Sequence, residues 1–136
     1  MRIRQICVIG SNGVGKTTLI QKIFSCSQSD DNMKWNGKFD TIPVEIYEYN
    51  EIPTDQDFDL YLVVFDYSTS DISSLIEQVD PEKTILVRTK DDWSVNTWDS
   101  ITFKTHKSYP LIDFVQLSTR TGKNLDSFRK LLYHFL

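Results

Sequence analysis

The chain has 136 residues. At roughly 100–200 residues per domain this makes one compact domain, spanning 1–136. Its 40% hydrophobic and 25% charged residues match ordinary globular proteins and exclude a disordered or fibrous one. The net charge of -4 and an isoelectric point near 5.1 argue against nucleic acid as a partner, because gripping its phosphates needs a basic face.

No apolar run approaches the ~18 residues of a spanning helix, and Met1-Arg2-Ile3-Arg4 leads into a strand-like run without a signal-peptide pattern. Of the two cysteines, Cys7 lies in an apolar run and reads as a small buried hydrophobe, while Cys26 lies in a polar Ser-rich stretch. A disulfide between them is not expected, because cytosolic chains keep their thiols reduced, and no Cys/His grouping has zinc spacing.

Ile3 to Ile9 is a short apolar run ended by Gly10, the pattern of a buried strand. A glycine-rich stretch follows, and Leu19, Ile20, Ile23 and Phe24 then recur at helical spacing. Ser25 to Asn32 is polar and reads as loop. Asn36-Gly37 reads as a two-residue hairpin turn leading into an alternating strand, Phe39 to Tyr49, where Pro43 suggests an edge or a bulge. Glu51 to Asp59 reads as loop. Leu60 to Phe65 is continuously apolar, as in a strand buried on both faces. Ser70-Asp71 is a helix start before Ile72, Leu75, Ile76 and Val79.

Thr84 to Val87 is the next strand, and Ser94 to Tyr109 a helix stopped by Pro110. Ile112 to Leu117 is the last strand. Leu125, Phe128, Leu131, Leu132 and Phe135 form the apolar stripe of a C-terminal helix. Strands alternating with helices predict an α/β fold of three layers around a mostly parallel sheet, with one antiparallel edge strand from the hairpin.

Gly10-Ser11-Asn12-Gly13-Val14-Gly15-Lys16-Thr17 is a complete P-loop pattern between a predicted strand and a predicted helix. Glycines let backbone N–H groups turn inward around phosphate oxygens, and the helix N-terminus favours the same anion. In this pattern Lys16 reaches the β- and γ-phosphates and the Thr17 hydroxyl ligates Mg²⁺. The predicted phosphate-binding set is Gly10, Ser11, Asn12, Gly13, Val14, Gly15, Lys16, Thr17 and Thr18.

Two later segments resemble the Ras-like small GTPase superfamily. Thr89-Lys90-Asp91-Asp92, after a strand, looks like the family's [N/T]-K-x-D guanine-reading motif. The resemblance implies that Asp92 accepts from guanine N1–H and its exocyclic amine, that Lys90 lies along the base, and that Thr89 braces the phosphate loop. Adenine would leave such a carboxylate mispaired, and mispaired polar groups are strongly rejected.

Ser118-Thr119-Arg120-Thr121-Gly122-Lys123-Asn124-Leu125 is similar to the family's S-A-K loop and the start of its last helix, with Thr119 and Arg120 replacing the usual Ala and Lys. It implies a backbone donor for the guanine oxygen. Motif order and spacing agree with the family from Ile3 to Phe135, implying a small G-protein-like P-loop NTPase fold with GTP or GDP and Mg²⁺ as ligands.

The departures concern the switches. The family's D-x-x-G aligns with Glu48-Tyr49-Asn50-Glu51, and its catalytic Gln falls near Ile52. Thr18 to Trp35 leaves 18 residues before Asn36-Gly37, and Glu51 to Asp59 leaves 9, so both switches are expected to be short. Thr41, beyond the hairpin turn, is a poor switch-I threonine. Hydrolysis needs an oriented water and neutralised charge on the γ-phosphoryl, and a ligand shifts an equilibrium only through contacts that differ between states.

The expectation is a cytoplasmic guanine-nucleotide-binding protein with little or no GTP hydrolysis, weak GTP/GDP discrimination, and action through protein partners. The terminal sequences carry neither Met-Gly nor a C-terminal Cys for a lipid anchor. One alternative is a pseudo-GTPase interaction subunit with a vestigial pocket. Another is a small P-loop ATPase or kinase, with Asp66 as a Walker-B carboxylate on Mg²⁺ after Leu62-Val63-Val64-Phe65.

Overall fold

In a computed structural model, the residues described are 2–29, 34–51, 57–66, 73–90 and 112–136. Their strands are β1 (Arg4–Ile9), β2 (Ser25–Gln28), β3 (Lys34–Phe39), β4 (Ile42–Tyr49), β5 (Leu60–Phe65), β6 (Thr84–Arg88) and β7 (Asp113–Gln116). Their helices are α1 (Lys16–Ile23), α2 (Ser73–Ile76) and α3 (Leu125–Phe135), with a single 3₁₀ turn at Pro81–Lys83. The predicted helix over Ser94 to Tyr109 and the start at Ser70-Asp71 lie outside the described residues.

The strands form one sheet in the order β2-β3-β4-β1-β5-β6-β7. β4, β1, β5, β6 and β7 run parallel, and β3 runs against both its neighbours.

Side chains alternate across a strand, so β1 divides its residues between two faces. Ile6 and Val8 join Leu19, Ile20, Leu62, Val64, Val87, Phe128 and Leu132 in a core beneath α1 and α3. Cys7 and Ile9 join Tyr61, Val63, Phe65, Leu75, Ile76 and Val79 on the opposite face, under α2. Phe128 and Leu132 are wholly buried, each stabilising the α3 layer by about 1.5–3 kcal/mol. This is the predicted three-layer α/β architecture. Cys7 is a core residue, and burial pushes its thiol up to about 12.

Three local expectations are corrected. Asn36-Gly37 is not the turn: both lie inside β3, and the hairpin turns at Asp40-Thr41, with Phe39 opposite Ile42. Asp40 takes the left-handed conformation, φ 56°, which short polar side chains tolerate. Ser25 to Gln28 is not loop but the edge strand β2, paired to β3 with Cys26 opposite Gly37. A Cβ on Gly37 would lie 2.1 Å from the Ser25 carbonyl oxygen, so this glycine serves a close strand approach rather than a turn. Pro43 sits in an interior strand, one residue before β4 pairs with β1 at Val44. Its missing N–H is therefore no loss to the parallel ladder.

Candidate functional site

The parallel strands point their C-terminal ends at one edge, and β1 passes there into the glycine loop. Gly10 N donates to the Tyr49 carbonyl at 3.2 Å, extending the β1–β4 pairing into the loop. A Cβ at Gly10 would lie 2.3 Å from the Val64 carbonyl oxygen, so only glycine fits. Gly13 and Gly15 have φ of 83° and 96°, a region that side-chain-bearing residues avoid. Gly15 is the N-cap of α1 and supplies no side-chain cap. The first N–H groups of the helix thus face outward as an anion-binding end.

A cavity of about 380 Å³ opens over this end, lined by Asn12, Gly13, Gly15, Lys16, Thr17, Thr18, Glu48 and Lys90. Six of these belong to the predicted phosphate-binding set. Of the remaining three, Val14 turns its side chain into the core, Gly10 packs against β5, and Ser11 offers its carbonyl to Lys16.

Lys16 is 7% exposed. Its Nζ donates to the Gly10 carbonyl, to the Ser11 carbonyl at 3.1 Å and to Asn50 Oδ1 at 2.8 Å. Burial lowers its pKa below the usual lysine value, and the Glu48 carboxylate pulls partly the other way.

Thr17 Oγ1 donates to Glu48 Oε1 at 2.5 Å, and Trp35 Nε1 donates to Glu48 Oε2 at 3.2 Å. A hydroxyl and a carboxylate side by side are hard oxygen donors suited to Mg²⁺, which usually completes its shell with water and phosphate oxygens. Among the described residues no three His, Cys, Asp or Glu side chains gather as an all-protein metal site. The donor set fits an ion shared with a phosphate ligand.

The strand end after β6 reaches the same loop. Thr89 is 2% exposed, and its Oγ1 donates to the Val14 carbonyl at 2.5 Å and lies 3.2 Å from that of Phe65. Lys90 Nζ donates to the Gly13 carbonyl and pairs with Asp66 Oδ2 at 3.0 Å.

Asp66 therefore reaches Lys90. Glu48, not this carboxylate, meets Thr17, which corrects the Walker-B reading. Asp92 lies outside the described residues.

The Ser118–Arg120 loop stands beside this strand end, because Leu117 N donates to the Arg88 carbonyl at 2.9 Å. Ser118 is buried and holds the turn: its Oγ accepts from Thr121 N at 3.2 Å and its carbonyl from Gly122 N at 2.9 Å. Thr119 and Arg120 follow, half-buried and exposed, and none of the three lines the cavity.

Sequence reasoning missed Asn50 as a partner of Lys16 and Asp66 as the partner of Lys90. Asn50 stands two residues after Glu48, but its reach depends on the β1–β4 register, which sets Ile9 opposite Tyr49.

No protein-family model matches the sequence, and no curated protein matches it significantly. Solved structures do match in fold. The FeoB G-domain from Methanococcus jannaschii aligns with a TM-score of 0.71 at 15% identity, over 99% of this chain and 98% of that one. Elongation factor SelB from Methanococcus maripaludis, in its apo form, aligns at 0.70 and 17%, over 99% of this chain and 33% of that one. The cytosolic domain of the T. maritima FeoB iron transporter, in a GDP form, aligns at 0.70 and 19%, over 99% and 64%. At these identities the likeness is one of fold: the chain has the three-layer P-loop architecture of G domains.

Proposed function

We propose that this protein binds a guanine nucleotide with Mg²⁺ and turns it over little or not at all. The observation that carries this reading is the contact of Thr89 and Lys90 with the carbonyls of Val14 and Gly13. A chance Thr-Lys pair in a solvated turn has no reason to clasp a phosphate loop. A base-reading motif does, because it must hold base and phosphates at a fixed separation. The GDP form of a similarly folded domain supports the same ligand class.

Within that reading, the loop N–H groups, Lys16 and Thr18 hold the phosphates. Thr17 and Glu48 hold Mg²⁺, which would neutralise phosphate charge. Lys90, Asp92 and the Ser118-Thr119-Arg120 loop receive guanine.

Low turnover follows from Ile52, which directly follows the Glu48–Glu51 stretch where a Gln would orient water. Reduced switching follows from β2, which commits Ser25–Gln28 to pairing with β3 directly after α1. The output of such a domain is expected through a protein partner in the cytoplasm rather than through nucleic acid. Among the described residues no helix is long and apolar enough to cross a membrane.

The test is calorimetric titration of nucleotide-stripped protein with GDP, GTP and ATP, each with Mg²⁺, alongside Lys16→Ala and a phosphate-release assay. Binding of guanine nucleotides with ATP silent and Lys16→Ala inactive is the expected result. ATP binding would move the site to the ATPase or kinase class. No heat from folded protein with any nucleotide would leave a pseudo-GTPase interaction module.

A further inference from the structure

An ammonium group has three N–H donors, and protein oxygens take all three on Lys16. Two acceptors, the Gly10 and Ser11 carbonyls, belong to the loop itself. The third, Asn50 Oδ1 at 2.8 Å, comes from the end of β4, and Asn50 is exposed and does not line the cavity. The phosphate-loop lysine is the group that meets the β- and γ-phosphate oxygens. An amide oxygen carries partial negative charge and accepts as a phosphate oxygen does, so Asn50 stands on Lys16 as a resident substitute for one of them.

Which phosphate it replaces follows from P-loop chemistry, in which the loop N–H groups cradle the α- and β-phosphates and the lysine reaches the β and γ. The loop donors around Gly13, Gly15 and Lys16 seat the β-phosphate. The γ-phosphate would lie beyond the loop's own donors, and Asn50, from the end of β4, is the acceptor on Lys16 that does not belong to the loop. A diphosphate needs one position on the ammonium and can displace the longer Ser11 contact. A triphosphate needs a second, held by Asn50. Glu51, next in the chain, adds negative charge to the same segment.

We infer that Asn50 is a specificity-determining residue whose side-chain oxygen occupies the γ-phosphate's place on Lys16, so that the site favours a nucleoside diphosphate over a triphosphate. This rests on the nucleotide-site reading above. It also replaces the sequence expectation of nearly equal affinities, because the discriminating contact is made by the protein itself and needs no moving switch. A hydrogen bond to a charged group is the sort of contact whose loss changes affinity by roughly tenfold or more.

The experiment measures affinities of wild type, Asn50→Ala and Asn50→Asp for GDP and for a non-hydrolysable GTP analogue, with Mg²⁺, by calorimetry. Asn50 is exposed, so both variants should fold, which circular dichroism checks. Wild type is expected to prefer GDP by about tenfold or more. Asn50→Ala should bring the ratio near one, chiefly by tightening the triphosphate. Asn50→Asp, which keeps an oxygen on the ammonium, should retain the preference. A GDP-to-triphosphate ratio unchanged in Asn50→Ala, or lost in Asn50→Asp, overturns the assignment while leaving the nucleotide site standing. Absence of binding by all three folded proteins overturns the nucleotide site itself, and the assignment with it.

Discussion

Thr89 Oγ1 donates to the carbonyl oxygen of Val14 at 2.5 Å, joining the end of β6 to the phosphate loop across 75 residues of sequence. The hydroxyl is buried, so the Val14 carbonyl depends on it for a partner.

Thr89→Val keeps the shape and removes the donor. It should destabilise the fold by about 1–3 kcal/mol, the usual cost of stranding a buried acceptor. It should also weaken nucleotide binding by loosening the loop, whereas Thr89→Ser retains both properties. Urea denaturation and GDP titration of the three proteins check this.

Glu48 meets Thr17 where Mg²⁺ would sit. Chelation with EDTA is expected to weaken GDP binding to the wild type. Glu48→Ala should lower the Mg²⁺ affinity of the nucleotide complex by roughly tenfold or more and reduce the effect of EDTA. An Mg²⁺ titration of the GDP complex gives the comparison. An unchanged Mg²⁺ dependence would remove Glu48 from the ion's shell.

Gly37→Ala forces a methyl group against the Ser25 carbonyl and to 2.5 Å from Cys26 Cα. Overpacking of this kind costs about 1–3 kcal/mol. Because β2 is the edge strand, the strain should express itself locally. Amide exchange at Ser25–Gln28 should quicken while β1 and β5 stay protected.

Asp59 accepts from the Gln5 N–H and from the Arg2 guanidinium, both at 2.8 Å. Burial tends to raise its pKa, but these donors outweigh it and hold the carboxyl below its ordinary 3.8. A carboxylate whose folded pKa is depressed stabilises the fold above the unfolded value and loses that contribution as pH falls through the folded one. Asp59→Asn should therefore lose about 1 kcal/mol at pH 7. Its deficit should shrink below pH 3.8, as the wild-type carboxylate is protonated. Denaturation of both proteins at pH 7 and pH 3 reads the difference.

The strand–loop–helix around Gly10–Thr18 was legible because its signals are local: an apolar run, glycines at fixed offsets, then helical spacing. Leu60 to Phe65 was legible for the same reason, as a run apolar enough to be buried on both faces. The Asn36-Gly37 dipeptide misled because a turn signal and a close-packed strand glycine look identical in one dimension. Only the approach of Ser25 and Cys26 from β2 distinguishes them. β2 itself, Ser-Cys-Ser-Gln, has too few apolar residues to announce a strand and exists because β3 offers it a free edge. Asp66 ends its strand in a form that fits either a Walker-B site or a lysine partner, and the position of Lys90 decides between them.

The sequence by itself determined the α/β architecture, the phosphate loop and the strand-end Thr89-Lys90, because each depends on residue type at short, fixed spacing. The tertiary structure alone decided which groups meet. Asn50 reaches Lys16 and Glu48 reaches Thr17 because the parallel register of β1 and β4 sets Ile9 beside Tyr49. Register between strands some 40 residues apart in the chain arises from packing on both faces of the sheet, and no local pattern encodes it.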